Sequence, residues 1–111
     1  MLTLNFEIQN HLKLKAKLFK ALADPIRLKI IELIDDTEKC VCDLVKELDI
    51  AQPLVSRHLQ ILRKMGLIIG RKEGTKRLYR LSNPKTIEII DAVDNVYLQN
   101  LTKYILQEAM M

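Results

Sequence analysis

Two short amphipathic segments separated by three residues restrict this chain more than any other feature. Val41 to Leu48 places Leu44 and Leu48 on one side. Asp49-Ile50-Ala51 breaks the pattern, and Gln52 or Pro53 opens a second segment that runs to Gly66. In that second segment Val55, Leu59 and Leu62 recur at spacings of four and three, so they form one apolar stripe. Gly66 suits the left-handed position just past a helix end. Two short helices joined by so tight a turn form a helix-turn-helix. After Gly66 the period changes. Leu67-Ile68-Ile69 is a β-rich run, Glu73-Gly74-Thr75 a turn, and Arg77 to Leu81 a returning strand with Tyr79 and Leu81 on one face.

The flanking segments read as helices. From about Glu7 to Leu22, Leu14, Leu18 and Leu22 lie on one stripe, with Lys13, Lys17 and Lys20 off it. Asp24-Pro25 is a start signal: Asp24 can cap free N–H groups, and proline at the first helical position loses no hydrogen bond. Ile26, Ile30 and Leu33 or Ile34 then recur as far as Asp35-Asp36. Asn83-Pro84 opens a final helix to about Glu108. Ile87, Ile90, Val93, Val96, Tyr97, Leu101, Tyr104 and Ile105 lie along it, with Ile89, Leu98 and Leu106 off the stripe. That is more apolar surface than one side of a small domain can cover, and a second copy of the chain would cover it. The predicted fold is mainly α, a homodimeric winged helix-turn-helix in the order α-α-α-α-β-β-α. It is one domain over 1–111, with the helix-turn-helix at about 41–66, the wing at about 67–81, and flanking helices at about 7–22 and 84–108.

Charge points to the partner. Between Arg57 and Arg80 stand eight Lys or Arg residues against one acid, Glu73, whereas the whole chain has 18 basic and 14 acidic residues. Positive charge concentrated in one helix and the hairpin behind it is the footprint of a nucleic-acid-binding surface. The fourth helix is expected in the major groove of double-stranded DNA, presenting Gln52, Pro53, Ser56, Arg57 and Gln60. Arg57 suits bidentate bonding to guanine, and Gln52 or Gln60 to adenine. His58, in the same helix, is grouped with these as a DNA-facing or structural histidine. Lys72, Lys76 and Arg77 on the wing are expected at phosphates, which position a protein without reading sequence.

Composition narrows the remaining classes. Apolar residues are 49% and charged residues 29% of 111. No apolar run approaches the roughly 20 residues of a membrane span. No basic region followed by an apolar stretch marks the start as a secretory signal. A cytoplasmic protein without a membrane partner is therefore expected. No paired carboxylates, Gly-rich phosphate loop or Ser/His/Asp arrangement suggests an enzyme, and no cofactor is required. A winged helix that binds only protein is the rival reading; it would not need Arg57, Lys72, Lys76 and Arg77 together.

Three segments, in order, resemble the ArsR/SmtB family of metal-responsive repressors: Ala21-Leu-Ala-Asp-Pro-Ile-Arg-Leu-Lys-Ile30, Cys40-Val-Cys-Asp-Leu44 and Gln52-Pro-Leu-Val-Ser-Arg-His-Leu-Gln-Ile-Leu62. The Gly66-Leu67 junction and Tyr79-Arg80-Leu81 extend the likeness over nearly the whole chain. The resemblance implies a homodimer built from the first and last helices. It also implies repression by blocking a promoter, and release when an inducer binds. In this family the Cys-Val-Cys-Asp-Leu segment is a thiolate site for arsenite, antimonite, cadmium or lead, which makes Cys40 and Cys42 the candidate metal ligands. Soft thiolates select such ions.

The chain departs from the family pattern in several places. Val45 stands where arsenite repressors usually carry a third cysteine. The N-terminal arm offers Glu7 and His11 but no cysteine, so His11, solvent or a small thiol would have to complete the site. Asp91 and Asp94 are present on the last helix, but no histidine follows His58, which rules out the family's zinc site there. Ala51 replaces a preferred serine cap. Geometry also poses a problem. Residues two apart on a regular helix diverge by about 200°, so both sulfurs reach one ion only if the third helix starts irregularly. Two other readings stay open: a vestigial buried pair, and a thiol redox sensor, for which a bridge across a regular helix would be strained.

Overall fold

Asp24 accepts hydrogen bonds from the backbone N–H groups of Ile26 and Arg27 at 2.8 and 3.1 Å, and Pro25 begins the helix that follows. That local cap separates the first two elements of a computed structural model, which describes residues 2–35 and 37–111, the side chains of residues 2–7 excepted. Glu7 of the N-terminal arm therefore lies outside the described side chains, and Asp36 outside the described residues. The order is α1 (Leu2–Leu22), α2 (Pro25–Leu33), β1 (Lys39–Cys40), α3 (Val41–Leu48), α4 (Gln52–Lys64), β2 (Ile68–Glu73), β3 (Lys76–Leu81), α5 (Lys85–Asp91) and α6 (Asn95–Ala109).

The helix-turn-helix forms as expected. α3 ends at Asp49 in the left-handed region (φ 53°), and Ala51 opens α4 without a side-chain cap. Gly66 (φ 78°) then reverses the chain into the wing. Val55, Leu59 and Leu62 of α4 are buried against Ile30, Ile31 and Ile34 of the α2 region, Leu44 of α3, and Leu67, Ile68, Tyr79 and Leu81 of the wing. The helix expected to meet DNA is thus held by every neighbouring element through one apolar stripe.

Three features differ from the sequence expectation. The C-terminal helix is two helices, α5 and α6, because Asp94 caps a new start by accepting from Tyr97 N at 2.9 Å. The apolar period crosses this break and hides it. The wing is a three-stranded sheet in the order β1-β3-β2, since Lys39 and Cys40 pair with Tyr79 and Leu78. Finally, α1 begins at Leu2, before Glu7.

Two carboxylates hold this frame electrostatically. The N–H of Arg27, seconded by that of Ile26, holds the Asp24 carboxyl below its ordinary value of 3.8. The Arg71 side chain holds Glu38 below its ordinary 4.5. Both groups favour the folded state only while ionised. Their contributions are complete above those ordinary values and disappear as pH falls through the lower folded ones. Thermal midpoints followed by circular dichroism should therefore decline below about pH 4. Asp24→Ala and Glu38→Gln should each lower the midpoint at pH 7 and flatten that acid limb. An acid limb unchanged in both variants would remove these groups from the account.

Candidate nucleic-acid interface and the cysteine pair behind it

The burial of Val55, His58, Leu59 and Leu62 leaves Gln52, Pro53, Ser56, Arg57, Gln60, Arg63 and Lys64 exposed on the rest of α4. His58 is the exception among the expected DNA-facing residues. It is 7% exposed, and its Nδ1 lies 3.2 Å from Arg27 Nη1. A guanidinium only donates, so in this contact Nδ1 is the acceptor. His58 is therefore corrected from the DNA-facing set to a link between α4 and α2. The same Arg27 donates to the carbonyls of Ala21 and Lys20, so it also fastens the end of α1.

The wing cations divide by strand register. Lys72 pairs with Arg77 and Gly70 with Tyr79, and directly opposed residues share a face. That face includes the buried Tyr79 and Leu81, and it looks toward α4. Ser56, Gln60 and Arg63 of α4 meet Arg77 and Tyr79 across an open cavity of about 400 Å³. Gly70 is required here, because a Cβ on it would stand 2.9 Å from Tyr79 Cε1. Lys76 pairs with Glu73 on the opposite face, so it is not grouped with Lys72 and Arg77 as the sequence suggested. Arg63 was counted in the charge cluster but not singled out. Its helical spacing from Ser56 and Gln60 was the signal that places it at the cavity.

Pairing sorts the cations further. Arg71 donates to both oxygens of Glu38, at 2.7 and 3.0 Å, and to Glu73 at 3.0 Å. Its charge is therefore spent in bracing the wing. Among the described residues, Arg57, Arg63, Lys64, Lys72, Lys76 and Arg77 form no ion pair with an acid. Of these unpaired cations, Arg63 and Arg77 line the cavity between α4 and the wing, while Arg57, Lys64 and Lys72 stand exposed on the same two elements. Such a surface fits a polyanion whose backbone crosses the helix and the hairpin together.

Behind α4, Cys40 ends β1 and caps α3 with extended backbone (φ −81°, ψ 165°), so only Cys42 lies within the helix. The Cα atoms are 5.2 Å apart, and the sulfurs meet in a disulfide. The angular objection to a shared ligand therefore does not apply, because the third helix does start irregularly. Cys40 Sγ accepts from Asp43 N, and Asp43 Oδ2 accepts from Cys40 N, both at 3.2 Å. Donor atoms of Cys40, Cys42 and Asp43 lie within 4.8 Å of one another. His11 stands outside this group. Two sulfurs and one carboxylate oxygen, converging where Cys42 and Asp43 are exposed, suit a thiophilic cation once the sulfurs are reduced.

Residues 24–69 match the model of the bacterial regulatory protein ArsR family. An HTH-type transcriptional regulator from Methanocaldococcus jannaschii is 43% identical over 82 residues, covering 73% of this chain and 92% of that one. The arsenical resistance operon repressor of Escherichia coli K12 is 51% identical over 70 residues, which cover 62% of this chain and 60% of the repressor's length. A solution structure from Mycobacterium bovis, described as a homodimeric winged helix-turn-helix DNA-binding domain, superposes with a TM-score of 0.74 at 27% identity, over 83% of this chain and 88% of that one. No helix among the described residues is long and apolar enough to cross a membrane. The fold and these likenesses agree: this chain belongs to the ArsR/SmtB family of winged helix-turn-helix, DNA-binding transcriptional repressors.

Proposed function

We propose that the chain works as a homodimer that occupies a promoter operator and leaves it when arsenite, antimonite, cadmium or lead engages reduced Cys40 and Cys42. The observation that carries this reading is the position of Cys40 outside α3, which lets both sulfurs face one ligand. The E. coli relative, named for arsenical resistance, supports the ligand class. The dimer is supported by the Mycobacterium bovis neighbour and by the bare apolar surface of α6. On that helix Val96, Tyr104 and Ile105 are 65%, 65% and 67% exposed.

The pair is placed to influence the interface. Cys40 is hydrogen-bonded through β1 to β3 of the wing, and its sulfur caps the helix that supports α4. A soft ion would supply an acceptor for sulfur lone pairs, and Cys40, Cys42 and Asp43 would hold it. Cys40 Sγ also accepts from Asp43 N, so holding an ion there would compete with the cap of α3, the helix that leads through the Asp49 turn into α4. Release then follows from the ligand's stronger hold on the uncapped shape. The inducer is a ligand here, and the reading requires neither a resident cofactor nor catalysis.

A gel-shift of reduced protein on its own promoter tests this. Arsenite or cadmium should release the DNA, and Cys40→Ser should abolish release while leaving metal-free binding intact. If neither ion, nor antimonite or lead, releases wild type, the metal reading is lost. The Cys40–Cys42 disulfide favours a second reading, a thiol redox sensor. Release by a mild oxidant but by no metal would select it.

A further inference from the structure

A second cationic surface borders α4, on the side away from the wing. On α1, Leu18, Ala21 and Leu22 face the core, while Ile8, Leu12 and Phe19 form a separate exposed apolar stripe. Lys13, Lys17 and Lys20 recur at i, i+4 and i+7 on the remaining side, exposed and without an acid partner among the described residues. The basic stripe is therefore distinct from the apolar one that a partner subunit would cover.

Lys17, Lys20 and Ala21 of α1 meet Ile61, Lys64 and Met65 of α4 across an open groove of about 390 Å³. Arg27 also lines it, but its guanidinium is committed to the carbonyls of Lys20 and Ala21 and to His58. Those bonds fix the end of α1 against α4, so Lys20 is carried by a braced backbone. Among the described residues, no acid lines the groove. Lys64 belongs both to the groove and to the exposed stripe of α4, one turn beyond Gln60. The groove is therefore continuous with the DNA-facing surface.

We propose that Lys17 and Lys20 of α1, together with Lys64, form a phosphate-binding flank that holds the DNA backbone on the side of α4 opposite the wing. This rests on the DNA-binding assignment and extends it to a helix otherwise given only to dimerisation. Lysine suits the role, since its ammonium is a compact point charge on a long stem that contacts phosphate without reading sequence. The short apolar floor of Ala21, Ile61 and Met65 leaves room for the backbone between the ammonium groups.

The test uses the full chain and two labelled duplexes of equal length, one from its own promoter and one scrambled, titrated over a series of NaCl concentrations. Each phosphate contact contributes about 0.9 to the slope of log K against log salt. Lys17→Ala/Lys20→Ala removes four contacts per dimer, so the slope should become shallower by about 3.6 on both duplexes. Lys17→Arg/Lys20→Arg should restore it, and Lys13→Ala, outside the groove, should leave it at the wild-type value. An unchanged slope in the double alanine variant overturns the proposal, as does an equal change from Lys13→Ala. Anilinonaphthalene sulfonate that binds wild type but not the double variant, with the slope unchanged, would give the groove to a small apolar anion instead. Wild type that binds neither duplex would instead remove the DNA assignment itself.

Discussion

Arg57→Ala should lose roughly 30-fold to more than 10³-fold of operator affinity, with little loss on scrambled DNA. Arg57 is exposed on α4, one helical turn after Pro53, and has no acid partner among the described residues. Its five donors are therefore free to meet a base edge. A bidentate arginine–guanine contact discriminates by about 1–3 kcal/mol, and a twofold dimer on two half-sites makes it twice, hence about 2–6 kcal/mol in all. Lys72→Ala, on the α4-facing side of the wing, should weaken both duplexes alike and flatten the salt slope by about 0.9 per contact. Anisotropy titrations on both duplexes distinguish the two roles. If Arg57→Ala weakens operator and scrambled DNA equally, Arg57 is a phosphate contact and the base-reading assignment fails.

Leu59→Ala should cost about 2–5 kcal/mol of folding stability, the range for truncating a buried leucine. Leu59 is 1% exposed on the stripe that ties α4 to the core. A domain of this size has only about 5–15 kcal/mol in reserve, so the substitution takes a large share of it, and any loss of DNA binding should track the unfolded fraction rather than a lost contact. Urea denaturation at one fixed protein concentration measures this, since dimerisation makes apparent stability depend on concentration. Ile61→Ala, on the same helix but 36% exposed, should cost clearly less. Similar losses from both would mean that the burial pattern of α4 is misassigned.

Much of the exposed face of α4 was legible in the sequence. The exposed set Gln52, Pro53, Ser56, Arg57 and Gln60 follows from the opposite stripe Val55, Leu59 and Leu62. His58 was grouped with the DNA-facing residues because it lies in the same helix, with a structural role left open; the structural role holds, and its spacing already pointed inward, three residues after Val55 and four before Leu62. Arg27, 31 residues away, gives its ring nitrogen a partner. Arg71 was counted with the free cations because Glu38 is 33 residues distant. Lys76 was grouped with Lys72 and Arg77 because sequence proximity does not show which face of a hairpin a residue takes; register does.

What the chain determines by itself is local. Asp24-Pro25 starts α2, Gly66 turns the chain into the wing, and the helical period buries one side of α4, because caps, backbone freedom and periodicity act within a few residues. Tertiary structure alone decides that Cys40 belongs to a two-residue strand and caps α3, because β1 exists only where β3 offers it an edge. It alone also decides that α1 brings Lys17 and Lys20 to the flank of α4, and that Glu38 neutralises Arg71. Each of these depends on groups far apart in sequence, and the free energy that brings them together is burial of the common core, which no short window of residues contains.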